Sequence, residues 1–359
     1  MLDEFKFFVR GKINSVMDRA NTRHHWYAFH TQHNHETYRL LKSIESEKGK
    51  TDPKFAKLSA EYARDVFGWV GYAPWLVVYS AMAGEFKEGW IPDNYYGWTV
   101  VPKVSGPFGT VTDAKTLSRK LLSTDRLPDV AYHMNGLFYD TSWNAIPPES
   151  LAEHIFDSES RIVYKADNSC RGHGVRVLTK ETFDIGKIIG DGGGVFQKFV
   201  AQHAFFDEIM PDSGATLRLT TVIDDNGKAS CRAAFMRFGR KADTHVKWDS
   251  SVKIAVDLAT GKLFPKGFLS DWRSVESHPD TGFVFAGKTL PEFGKCVGFA
   301  LETHQSSPYF RSIGWDMIVD ADGEIQLFEW NGAHNDIKFS EAAHGPCFAD
   351  LGWEKLWRR

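Results

Sequence analysis

One stretch limits the fold more than any other: GWDMIVDADGEIQLFEWN, residues 314–331. Two apolar runs flank Asp322-Gly323, and an Asp-Gly pair between such runs is a strong hairpin signal. A two-residue loop puts Ala321 opposite Glu324 and, counting outward, Asp316 opposite Glu329. Asn331 follows Glu329 on the same face, because side chains alternate along a strand. Ile318, Ile325 and Leu327 share that face; Trp315, Met317, Val319, Phe328 and Trp330 fill the other. Two apolar faces mark a strand pair buried in a sheet. Like charges facing each other across a ladder destabilise it, so Asp316 and Glu329 need an offsetting group. Two carboxylates and an amide on one face suit Mg²⁺, which takes one or two carboxylates together with substrate phosphates.

Other segments give the same texture. Residues 215–239 read as a hairpin turning near Asn226-Gly227, and 253–264 as one turning through Thr260-Gly261. RIVYKAD, GVRVLT and GVFQKFVAQ read as strands, and GWTVVPKVSG (97–106) as a strand and loop. DAKTLSRKLLS (113–123) reads as a helix that Asp113 can cap, and a further helix runs from about 289 to 305. Residues 1–95 are mainly helical, with apolar positions spaced at three and four and little Gly or Pro before 68. The expected fold class is α+β, built on antiparallel hairpins behind a helical N-terminal region. The expected division is 1–95 helical, 96–190 a first α+β subdomain and 191–359 a second.

The net charge of −3 gives no electrostatic footprint for nucleic acid. Cys170, Cys231, Cys296 and Cys347 form no CxxC pair, which argues against a zinc or disulfide framework and fits reduced cytosolic thiols. The opening MLDEFKFFVRGKIN carries charge throughout and lacks the apolar core of a signal peptide. Residues 66–84 are uncharged, but Gly68, Gly71, Pro74 and Ser80 dilute them, so a buried helix pair broken near Pro74 is expected rather than a membrane span. The expected location is cytoplasmic; contact with a membrane surface is left open but not predicted. Five histidines crowd HHWYAFHTQHNH (24–35). A solvated polar helix is expected there, with metal binding through a pair such as His30 and His33 as the alternative.

IVYKADNSCRGHGVRVL (162–178) places Lys165 in an apolar strand before a loop holding Gly172 and Gly174. A buried ammonium needs a partner, and the loop's backbone N–H groups can meet the same anion. The pair suggests phosphate, although neither GK[ST] nor GxGxxG is present; a hairpin with a snorkelling lysine is the alternative. Arg218 and Arg237 each interrupt an apolar strand. A turn at 226–227 sets 218 opposite 235, which makes the two arginines neighbours on one face. Their guanidinium forks match phosphate or carboxylate, and an ion pair with Asp or Glu is the alternative.

In order, Lys115 in TDAK, Lys165 with its glycine loop, VFQKFVAQH, ATLRLTTV, HPDTGFVFAG (278–287), GWD and FEWN resemble the ATP-grasp superfamily. Within it the chain is similar to the sugar-transfer-associated ATP-grasp proteins of polysaccharide biosynthesis, over about residues 90–335. That resemblance implies an ATP-grasp fold, with ATP held between two α+β subdomains. Lys115 and Lys165 would contact the phosphates and the adenine edge, beside Gly172 and Gly174. Gln197, Lys198, Phe199 and Val200 would form the linker that reads adenine, with Gln202 or His203 near the ribose. Asp316, Glu329 and Asn331 would hold one or two Mg²⁺, and Arg218 and Arg237 would face the γ-phosphate and the acyl group. The implied activity is an ATP- and Mg²⁺-dependent ligase joining a carboxylate, a sugar acid or amino acid, to an amine (or thiol) through an acyl phosphate. The alternatives are a kinase of a sugar or small molecule and a non-catalytic nucleotide- or glycan-binding protein. Cys170, Arg171 and His173 in the glycine loop, and Ala215-Thr216 where relatives carry Asn, depart from the family pattern.

Overall fold

The computed structural model describes residues 2–169, 174–211, 214–241 and 250–358, with side chains from residue 22 onward. Two antiparallel sheets form its frame. The first contains β1 (Asp129–Met134), β2 (Leu137–Asp140), β3 (Ala145–Ile146), β4 (Ile162–Ala166), β5 (Val175–Leu178) and β6 (Gly194–Lys198), in the order β3-β2-β1-β6-β4-β5. The second contains β7 (Ala215–Ile223), β8 (Ala229–Phe238), β9 (Val252–Val256), β10 (Leu263–Phe268), β11 (Ser274–Val275), β12 (Ser312–Val319) and β13 (Ile325–Asn331), in the order β11-β10-β9-β8-β7-β12-β13. β6 lies between β1 and β4, so the change of sheet falls after Lys198 rather than at residue 190.

Three hairpins close by one recurring loop. Asp140, Asp224 and Asp320 each donate their N–H to the carbonyl four residues on, at 2.9, 3.1 and 2.8 Å. Each carboxylate accepts the N–H groups two and four residues on. The residue three on takes positive φ: Trp143 at 68°, Gly227 at 77° and Gly323 at 80°. This is the three-residue loop, a type I turn followed by a left-handed residue, not the two-residue loop read from Asp322-Gly323. It shifts the register by one, so Val319 pairs with Ile325. A bulge between Met317 and Asp316, opposite Phe328, takes up the difference and returns Asp316 to Glu329. The expected pairing therefore stands for a different reason. Leu327 and Ile325 turn into the core instead of sharing the acids' face, and Phe328 turns toward Glu329. In β7–β8 a bulge after Thr220 has the same effect, leaving Arg218 opposite Phe235 and Thr216 opposite Arg237.

The N-terminal helices are α1 (Leu2–Lys48), α2 (Pro53–Phe67) and α3 (Ala73–Ala83). Asp52 caps α2, Gly68 ends it at φ 76°, and Pro74 opens α3. The histidine segment is solvated on one face only: His24, His25 and His35 are exposed, while His30, His33, Thr37, Leu40 and Ile44 form a buried stripe at helical spacing. Residues 97–106, expected as a strand, are helical instead. Tyr95 and Tyr96 there are fully buried and donate their hydroxyls to the Trp353 carbonyl and Ser312 Oγ, both at 2.9 Å, so packing overrides the β-branched pattern. Residues 113–123 form two short turns and the helix Ser118–Leu122, and the cap comes from Asp167, which accepts from Thr116 N and Oγ1.

The helices do not stand apart as an extension. Trp75, Leu76 and Tyr79 share one core with Val222 and Phe235 of the second sheet and with Phe339 of α5 (Lys338–His344). α4 (Phe293–Gln305) covers the other side of that sheet. Glu341 of α5 clamps the junction: its carboxylate accepts from Ile91 N at 2.6 Å and from Cys347 N at 2.7 Å. Replacing Glu341 with alanine orphans two buried N–H groups, and a loss of about 2–4 kcal/mol is expected in a denaturant titration; an unchanged midpoint would show that water or the backbone satisfies both. Among the described residues no helix is long and apolar enough to cross a membrane.

Candidate functional site

The two sheets and the N-terminal helices enclose one cavity of about 620 Å³. Lys165 on β4 and the turn carrying Lys115 form one end. Lys115 is buried and donates to the carbonyls of Ala166 (3.3 Å) and Ser169 (2.9 Å), so it ties down the start of the glycine loop. Lys165 reaches across to the second sheet, donating to the Phe328 carbonyl at 3.2 Å with its ammonium 5.1 Å from that ring's centre. Burial lowers its pKa, against the opposing pull of Glu329 and Asp129. Gly174 sits at φ 80°, where a Cβ would lie 2.9 Å from Ser169 Cβ, so the loop's return requires glycine. Gly172 lies outside the described residues.

The segment joining the sheets, Gln197 to Val200, lines the cavity, as does Gln202. Gln197 is buried and donates to Asp129 at 2.8 Å, and Tyr132 donates to the same carboxylate at 3.0 Å. Burial raises the Asp129 pKa, against those two hydrogen bonds. The Lys198 ammonium stands 3.7 Å from Glu159, and the Arg161 guanidinium lies 3.9 Å from the centre of the Phe199 ring. Gln202 donates to Asp207 and to the Met210 carbonyl, both at 2.9 Å. His203 is not among the cavity residues: its Nδ1 caps the helix Ala204–Ile209 by accepting from Phe205 N at 3.1 Å.

Asp316 lies on β12, next to the edge strand of the second sheet, between Arg218 on β7 and Glu329 on β13. Arg218 grips it bidentately, Nε to Oδ1 at 2.6 Å and Nη2 to Oδ2 at 2.7 Å. Its remaining Nη1 donates to the Asn335 carbonyl at 2.9 Å. Arg237 gives Asp316 one bond, Nη2 to Oδ1 at 2.6 Å, and its buried Nε has no partner. Burial pushes the Asp316 carboxyl up, but the two guanidinium groups outweigh it and hold the pKa at about 2. The arginines that the sequence makes equivalent are therefore different. Arg218 is fully committed and positions Asp316, while Arg237 keeps donors for a ligand.

The oxygens here fit a hard cation. Asp316 Oδ2 accepts a single bond, Glu329 lines the cavity beside it, and Asn331 spends its amide N–H on the Gly314 carbonyl at 3.4 Å, keeping its side-chain oxygen. Residues 189–351 match the sugar-transfer associated ATP-grasp family. The match covers under half of the chain, whose fold is α+β with a helical region in front. A search of curated proteins gives no match. Among solved structures, the ATP-grasp ligase PsnB complexed with a minimal precursor shares 14% identity at a TM-score of 0.40, covering 70% of this chain and 63% of that one. The D-alanine-D-alanine ligase from Coxiella burnetii shares 8% at 0.38, covering 69% and 59%. The biotin carboxylase domain of 2-oxoglutarate carboxylase from Hydrogenobacter thermophilus, in complex with MgADP, ADP and bicarbonate, shares 12% at 0.42, covering 68% and 44%. The chain thus spans less than two thirds of each of these proteins.

Beyond the arginines the cavity continues to a part that sequence reasoning missed. Glu36 and His33 of α1, Asp93, and His334, Asp336 and Lys338 from the segment after β13 converge there. Asp93 is fully buried, and neither of its carboxylate oxygens has a hydrogen-bond partner. His33 Nδ1 stands 3.7 Å from it, His334 Nε2 3.4 Å and Lys338 Nζ 3.9 Å. His33, Asp93 and His334 bring ligand atoms within 4.8 Å of one another, as in a metal site. Hydrogen bonding opposes that use. Trp75 Nε1 donates to His33 Nδ1 at 3.0 Å and Asp336 N to His334 Nδ1 at 3.4 Å, which puts the proton of each neutral ring on Nε2. The Lys338 ammonium lies beside the group, 3.0 Å from Asp336 and 3.1 Å from Glu36. The available signal was the histidine segment together with the polar run after FEWN.

Proposed function

We propose that the chain is an ATP- and Mg²⁺-dependent ligase that joins a carboxylate to an amine through an acyl phosphate, on a sugar acid or amino acid of a cell-surface glycan precursor. The observation that carries this reading is one continuous cavity lined by Lys115, Lys165, Arg237 and the oxygen-bearing side chains of Asp316, Glu329 and Asn331. Such a set stabilises moving charge and positions reactants, which is what phosphoryl transfer to a carboxylate needs.

ATP would lie with its phosphates toward Lys115, Lys165 and the Gly174 loop, and with its base against the Gln197–Val200 segment. Val163, Val175 and Phe328 supply apolar walls there. Mg²⁺, when bound by Glu329, Asn331 and Asp316, would neutralise the phosphate oxygens during transfer. Arg237 would hold the acyl carboxylate near the γ-phosphate with its spare Nε and Nη1 donors. Arg218 keeps Asp316 ionised and oriented.

The test is ADP release measured over a matrix of sugar acids and amino acids against amines. Release that requires both a carboxylate and an amine is the expected result. A stable phosphorylated product from one substrate alone would make the protein a kinase, and tight ATP binding without turnover across the matrix would make it a binding protein.

A further inference from the structure

Resting on that ligase reading, we infer that the cavity end walled by the N-terminal helices is an ammonium-binding subsite for the amine substrate. Its charge balance is opposite in sign to that of the middle of the cavity. Around Asp316 the cations Arg218, Arg237 and Lys165 face the two carboxylates of Asp316 and Glu329, an excess of one positive charge that suits an acyl carboxylate or phosphate. At the far end three carboxylates, Glu36, Asp93 and Asp336, surround Lys338 and Lys253. With Asp93 ionised, the described residues at that end carry one more negative charge than positive, which a primary ammonium complements.

Asp93 makes this a built site rather than an acidic surface. A fully buried carboxylate with both oxygens unbonded loses its hydration without replacement. The nearby cations do not relieve it, since Lys338 bonds Asp336 at 3.0 Å and Glu36 at 3.1 Å and stands farther from Asp93. Glu36, with 18% of its side chain exposed, and His334, with 32%, form the surface in front of Asp93. Burial raises the Asp93 pKa, and an ammonium seated there, donating to Glu36 in front of Asp93, would favour the ionised carboxylate. The arrangement also sets the order of reactants. Arg218 Nη1 bonds the backbone of Asn335, next in sequence to His334, so the subsite adjoins the arginine pair on the side away from Lys115 and Lys165. An amine held there reaches an acyl phosphate lying at Arg237. As the C–N bond forms, the C–O bond to phosphate breaks and its electron pair leaves with the phosphate. Of the two protons the ammonium loses, one passes to Glu36 before attack and one stays with the departing phosphate.

The experiment compares two nucleophiles with the same acid. Hydroxylamine is uncharged near neutral pH and traps an acyl phosphate without an ammonium site; the amine from the ADP-release matrix is protonated. Glu36→Gln should lower the ratio of kcat/KM for the amine to that for hydroxylamine at least tenfold, and Glu36→Asp should recover part of it. An unchanged ratio in Glu36→Gln overturns the subsite. Absence of hydroxylamine-dependent ADP release in the unaltered protein, with every acid, overturns the ligase reading and the subsite with it. In the unaltered protein the alcohol of the same skeleton should fail to compete with the amine. Competition within tenfold of the amine's own affinity overturns the subsite without any variant.

Discussion

Replacing Glu329 with glutamine should lower Mg²⁺-dependent ATP turnover by at least about 100-fold, the scale on which losing one charge-stabilising group acts in an active site. Glutamine keeps the shape and removes the charge, so the β12–β13 pairing should persist and the melting temperature should move by no more than about 2 °C. Glu329 faces Asp316 across the ladder, where two ionised carboxylates repel, so the fold itself gains little from its charge. A variant that turns over ATP at the unaltered rate across a Mg²⁺ titration would place the metal elsewhere. A variant that melts well below the parent would make Glu329 a structural residue.

Arg218 should respond in the opposite way. Arg218→Met leaves the Asp316 carboxylate buried with one guanidinium in place of two, and a loss of about 3–5 kcal/mol is expected, the range for breaking a buried pair on one side. Arg237→Met removes a single bond to Asp316 and should cost distinctly less stability, while its effect on kcat should be the larger of the two. A double replacement, Arg218→Met with Asp316→Leu, should recover much of the stability, because the isolated buried charge is gone. Denaturant titrations of the three variants check this. Equal stability losses for Arg218→Met and Arg237→Met would contradict the division of labour.

The acidic hairpin was legible in the sequence because its register follows from alternation and one turn signal. The loop type was not, since Asp-x-x-Gly contains the same Asp-Gly pair that marks a two-residue loop. Only the hydrogen bonds of Asp320 and the bulge opposite Phe328 separate the two, and their shifts cancel at Asp316. Arg218 and Arg237 were legible as neighbours, but their inequality depends on the Asn335 carbonyl, more than a hundred residues away from Arg218. Residues 97–106 misled because Val100, Val101 and Val104 favour a strand locally, whereas the buried Tyr95 and Tyr96 are fixed by partners near the C-terminus. The far end of the cavity was illegible for the same kind of reason. Glu36, Asp93 and His334 come from three separate segments, and no spacing rule links them.

The division of hydrophobic cores has a mechanical consequence. The first sheet buries its own cluster around Phe138, Tyr164 and Phe196, whereas the N-terminal helices pack into the second sheet. Glu36, Asp93, Arg237 and Glu329 therefore belong to one rigid piece, and Lys165 belongs to the other. Rotation of the pieces about the chain following Lys198 would stretch the Lys165–Phe328 contact first, widening the lysine end while the proposed acid, metal and amine positions keep their mutual distances. In such a jaw the nucleotide can exchange without disturbing the seat of the acceptor.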